Sequence, residues 1–79
     1  MRFRHEMLLE LRLDHGFTQQ ALARDLGIDV TTYREYESGR VNHPRKGFEM
    51  TRLRRRNILV MMESVLKLKS FWDLIEEGG

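Results

Sequence analysis

Between Gly16 and Gly39 the chain holds two short helical patterns with almost no residues to spare between them. The spacing in this stretch restricts the fold more than any other feature. Ala23 lies four residues before Gly27, and Ile28 lies five before Tyr33 and eight before Tyr36. A small side chain at 23 lets the next helix come close, and Gly27 permits a sharp turn through the left-handed region. Apolar groups at 28, 33 and 36 then lock the two helices at a wide angle. Thr18 and Asp29 stand where N-caps are needed, and the Asp29 carboxylate is also favoured by the helix dipole.

Apolar residues recur at helical spacing along nearly all the rest, and no stretch alternates with period two for long enough to predict a strand. A first helix is expected from about Arg4 to His15, burying Phe3, Met7, Leu8 and Leu11 and ending at Gly16. Phe17 then turns inward. The second helix buries Leu22, Ala23 and Leu26; the third buries Tyr33 and Tyr36 and stops at Gly39. A loop "RVNHPRKG" follows, in which Pro44 disfavours helix at His43. The pattern is helical again from about Phe48 to Lys69, with Leu53, Ile58, Met61, Met62, Val65 and Leu66 or Leu68 inward and a break expected near 50–56. Ser70 and Asp73 form a capping pair for a last helix, "FWDLIEE", closed by Gly78 and Gly79. The expected fold class is all-α, a compact bundle of about five helices.

A length of 79 residues fits one domain, 1–79, with a modest core. There is no cysteine, which excludes disulfides and thiolate metal sites. His5, His15 and His43 show no ligand spacing, so no metal and no cofactor is expected. No apolar run approaches the roughly 20 residues of a membrane span, and "MRFRHEML" lacks the apolar region of a signal peptide. The expected location is the cytoplasm. Net charge is only +2, but residues 40–56 hold seven Arg or Lys against Glu49 alone, while the last ten hold Asp73, Glu76 and Glu77 with no base. Such asymmetry suits a basic surface for a polyanion with an acidic end held away from it; a merely solvated charged face is the other reading. Catalysis is not expected: there is no Ser-His-acid set and no glycine-rich phosphate loop, and "HEMLLE" lacks the second histidine of a zinc-protease motif.

The spacing from 18 to 39 is that of a helix-turn-helix, whose second helix can be offered to a major groove. The motifs go further. "LRLDHGFTQQALARDLGI" and "TTYREYESGR" resemble the Cro/C1-type (lambda-repressor-like, also called XRE) helix-turn-helix family over residues 8–46. Gly16-Phe17-Thr18-Gln19 stands where the family has Gly-Leu-Thr-Gln, and Tyr36-Glu37-Ser38-Gly39 where it has Trp-Glu-x-Gly.

The resemblance implies roles. Gln19 would touch a DNA phosphate and brace the recognition helix. Arg12 and Glu37 match an ion pair joining the first helix to the third, either buried or exposed. Val30, Thr31, Arg34 and Glu35 fall where relatives read base edges. Here Val30 departs from the commoner Gln or Ser and offers only apolar contact. Arg34 suits a guanine or a phosphate, and Glu35 either accepts from cytosine or pairs with a neighbouring arginine. Thr32, Arg40, Asn42, His43, Arg45 and Lys46 would hold phosphates, which fixes register without reading sequence. Arg52, Arg54, Arg55 and Arg56 cannot all face one way, and at most two are assigned to phosphate. Phe71, Trp72, Leu74 and Ile75 either close the core or make a two-fold interface, with the C-terminal helices 48–77 serving both ends. Met50, Met61 and Met62 are read as core. The expected function is a non-catalytic, dimeric DNA-binding repressor of a palindromic operator, Cro-like from a phage or mobile element, or an autoregulator. The alternative is an antitoxin or a protein-interaction module that keeps the fold and binds a protein partner.

Overall fold

The two ends of the chain pair with each other. In this computed structural model, which describes residues 2–44 and 50–77, β1 (Arg2–Phe3) runs antiparallel to β2 (Ile75–Glu76), with Arg2 opposite Glu76 and Phe3 opposite Ile75. Between them come α1 (His5–Asp14), α2 (Gln19–Leu26), α3 (Val30–Glu37), a 3-10 turn (Arg40–Asn42), α4 (Arg52–Val65) and a second 3-10 turn (Phe71–Leu74). The helical bundle expected from the periodicity is therefore what forms, with four α-helices among the described residues.

Local chemistry sets the helix ends. Thr18 Oγ1 accepts from the Ala21 amide at 3.1 Å, Asp29 Oδ2 from Thr32 at 3.2 Å and Thr51 Oγ1 from Arg54 at 3.1 Å. Gly27, at φ +74°, turns the chain between α2 and α3 while its own amide and that of Ile28 return to the carbonyls of Arg24 and Ala23. Ala23 is buried where α2 meets α3, and a larger residue there would push α3 away. The same turn ends α4, but with Lys67 at φ +56° in place of glycine; the amides of Lys67 and Leu68 reach the carbonyls of Ser64 and Glu63. A left-handed conformation costs a non-glycine residue about 1–2 kcal/mol, and glycine's extra freedom in the unfolded chain returns about 0.5–1 of that. Lys67→Gly is expected to stabilise by about 0.5 kcal/mol, read as a higher urea midpoint at unchanged slope.

Leu8, Leu22, Tyr33, Met62, Leu66 and Leu74 are the largest fully buried side chains, and each contributes about 1.5–3 kcal/mol on leaving water. Phe3 joins this core edge-on to Tyr36, with ring centroids 5.1 Å apart. The partly buried Phe17, Ile28 and Met50 pack against it, and the Tyr36 hydroxyl donates to Met50 Sδ at 3.4 Å.

Three expectations change. The fourth helix begins at Arg52, capped by Thr51, and ends at Val65; the start expected at Phe48 lies outside the described residues. Its buried row is Ile58, Met62 and Leu66, each four apart, which turns Leu53 (69% exposed) and Met61 outward instead of into the core. The last helix is absent: "FWDL" makes a single 3-10 turn capped by Ser70, and Ile75–Glu76 pair with the N-terminal strand. Pairing two residues long leaves no period-two signal in the sequence.

Candidate nucleic-acid interface

α3 packs on a scaffold built by α1 and α2. The carboxylate of Glu37, in its last turn, is the hub. Arg12 Nε of α1 donates to Glu37 Oε1 at 2.6 Å, Tyr33 OH donates to the same oxygen at 3.1 Å, and Gln19 Nε2 of α2 donates to Oε2. Arg12 Nη1 also donates to the Phe17 carbonyl at 3.0 Å. The pair is largely sealed, with the Arg12 and Glu37 side chains 14% and 9% exposed. Burial pushes the Glu37 carboxyl up, but the hydrogen bonds from Arg12, Gln19 and Tyr33 outweigh it and hold it below its ordinary 4.5. Tyr33 is pushed above its usual range by burial and by the Glu37 charge, and burial alone pushes Tyr36 up to about 12.

The network reaches the outer surface. Arg34 Nε donates to Gln19 Oε1 at 3.3 Å, so an exposed guanidinium is held in line with the buried carboxylate through one glutamine. Gln19 thus braces α3 through Glu37 and Arg34 at once. Thr31 is exposed beside Arg34, while Val30 and Glu35 are half-buried, Val30 against the core. At the other end, Gly39 at φ +84° lies against the His5 ring of α1, where a Cβ would come within 2.8 Å of Cδ2. His5 Nδ1 lies 3.3 Å from the Glu37 carbonyl, so that contact fixes where the chain leaves α3.

Of the residues expected to hold phosphate, Arg40 and His43 are exposed on the segment leaving α3. Arg45 and Lys46 lie outside the described residues. Two others are corrected. Thr32 is buried, and its hydroxyl and amide both donate to Asp29, at 2.6 and 3.2 Å, so it completes the cap of α3 and has no donor left for a phosphate. Asn42 acts as a piece of strand: its Oδ1 accepts from the Phe3 amide at 2.7 Å and its Nδ2 donates to the Phe3 carbonyl at 2.9 Å. That amide satisfies the edge of β1 opposite β2, a role no local pattern announces.

The Asp29 carboxyl is held below its ordinary value by the Thr32 hydroxyl and amide, with a smaller contribution from Arg54. Of the four clustered arginines, Arg54 is thus the one whose charge acts on the carboxylate that caps α3. Among the residues expected at a two-fold interface, Leu74 is fully buried in the core and is withdrawn from it. Trp72 is 53% exposed, and Phe71 and Ile75 are half-buried; with Leu59 and Arg56 they line a cavity of about 330 Å³. Among the described residues no cluster of His, Asp or Glu could hold a metal, and no helix is long and apolar enough to cross a membrane.

Residues 8–46 match the family model described as helix-turn-helix. No curated protein and no solved structure matches the chain.

Proposed function

Because the chain belongs to the Cro/C1-type helix-turn-helix family, we propose that it is a sequence-specific repressor that binds a palindromic operator as a homodimer. Domains of this family are DNA-binding and non-enzymatic. One observation carries the reading: Thr31 and Arg34 of α3 stand in solvent while Glu37, one turn on from Arg34, is pinned to α1 and α2. A rigid helix with an uncovered polar side is what a major groove about 12 Å wide accepts.

Val30, Thr31, Arg34 and Glu35 then face base edges, Val30 towards a thymine methyl and Arg34 towards a guanine. Gln19, Arg40 and His43 serve beside them as phosphate contacts, with Arg54 added from α4; Arg45 and Lys46 are assigned the same role from the sequence alone. The exposed Trp72, with Phe71 and Ile75, supports the two-fold contact; two copies of α3 would then meet half-sites about one helical turn apart. The protein would work on the nucleoid in the cytoplasm.

Selection of bound duplexes from a random library tests this, with palindromic winners expected; no enrichment at low salt would overturn it. Within that assay Arg34→Ala is expected to relax preference at one or two base pairs, with a loss of about 1–3 kcal/mol on the best site. Arg40→Ala should weaken all duplexes alike and reduce the salt slope by about 1. The reverse pattern would show that reading and clamping are assigned to the wrong residues.

A further inference from the structure

Among the described residues the exposed large apolar side chains are Leu9, Leu13, Leu53, Val60, Met61 and Trp72. All but Trp72 fall on two helix faces of opposite charge. On α1, Leu9 and Leu13 (60% exposed) are four apart on the outer side, next to Glu10 and Asp14. On α4, Leu53 and Val60 are seven apart on the side opposite the buried row, flanked by Arg52 and Arg56. None of these four charged residues has an ion-pair partner among the described residues.

The charges also sit at the wrong helix ends. Asp14 is the last residue of α1, and Arg52, Arg54 and Arg55 open α4 with no acid in its first turn. Each arrangement opposes the helix dipole, which favours cations at C-termini and anions at N-termini. Asp14 and Arg52 are thus charges that their own helices disfavour, and with Glu10 and Arg56 they border apolar stripes that suit a partner of opposite charge.

We propose that the outer face of α1 docks on the outer face of α4 of a second copy of this chain, head to tail. Charge selects this occupant over the symmetric ones: α1 on α1 would bring Glu10 and Asp14 onto themselves, and α4 on α4 would do the same to Arg52 and Arg56. Only the crossed arrangement puts acids against bases around the leucines. The contact is heterologous, so it leaves one α1 and one α4 face open for the next copy, unlike a closed two-fold dimer. It uses none of the residues assigned to base reading and does not depend on DNA; Arg52 and Arg56 also border the cavity beside Trp72, so the Glu10 and Asp14 variant is the one that leaves the proposed two-fold contact untouched.

The test is the mass of the full chain in solution by sedimentation velocity. Wild type should grow past two chains with rising concentration at low ionic strength and fall back in about 0.5 M salt, where screening is short-ranged. Glu10→Arg with Asp14→Arg, and separately Arg52→Glu with Arg56→Glu, should each weaken assembly by at least about tenfold. Asp14→Arg and Arg52→Glu place the charge that the dipole prefers, so folding is retained, and circular dichroism checks it. Mixing the two variants should restore assembly, because each then offers a face complementary to the other. Wild type that stops at two chains or ignores salt, variants that assemble like wild type, or a mixture that stays apart would each overturn the proposal.

Discussion

Replacing Arg12 by alanine is expected to cost about 3–5 kcal/mol, the penalty for leaving a largely buried carboxylate without its counter-charge. Total stability for a domain of this kind is about 5–15 kcal/mol, so the variant should melt at least about 12 °C lower, or not fold at all at the low end of that range. The loss has a pH signature. Glu37 is held below its ordinary 4.5 in the folded wild type, so its contribution is complete above that value and fades as pH falls through the folded pKa. Without Arg12, burial acts on Glu37 with less opposition and its pKa rises. Acid then harms the wild type and relieves the variant. Thermal melts should therefore show the gap between them narrowing steadily below about pH 4.5. A gap that stays constant down to acid pH would mean that Arg12 acts through its hydrogen bond to the Phe17 carbonyl and not through the carboxylate.

Leu74→Ala should cost about 2–5 kcal/mol, as large-to-small changes at fully buried leucines do. The form of the loss matters as much as its size. Leu74 is sealed among the core side chains, so the fall in melting temperature should be the same at every protein concentration. Trp72→Ala removes a side chain that is 53% exposed and should leave the melt of a dilute sample nearly unchanged. If Trp72 lies in a two-fold contact, its loss shows only as a weaker concentration dependence. A concentration-dependent loss at Leu74 would return that residue to the interface.

These two residues illustrate what the sequence made legible. The first three helices could be placed to within a residue or so, because their limits depend on local chemistry: Thr18 and Asp29 as caps, Gly27 as a left-handed turn, Tyr33 and Tyr36 on one face. Beyond Gly39 the determinants are distant in sequence. Asn42 binds Phe3 across 39 residues, and Arg2 reaches Glu76 across 74. Neither contact leaves a period or a motif. Leu74 shared an apolar stripe with Trp72, and periodicity alone could not tell which side would find the core. On α4 the arginine cluster interrupts the apolar pattern, so Leu53 looked as suitable for burial as Ile58; only the fold chooses between rows 140° apart. Thr32 follows the outward-facing Thr31 by one helical step, which turns it against Asp29, and residue type alone does not separate the two threonines.

If Arg34 and Thr31 face base edges as proposed, the bond from Arg34 to Gln19 bears on how the domain could be retargeted. One edge of the guanidinium is already held at 3.3 Å, and none of the described residues engages its two terminal nitrogens. Its orientation is settled before any duplex arrives, so less rotamer freedom is lost on docking. A replacement at 34 would forfeit that head start and loosen Gln19 as well. New base preferences should therefore come more cheaply through Thr31, whose side chain is exposed and takes no part in the Gln19–Glu37 network.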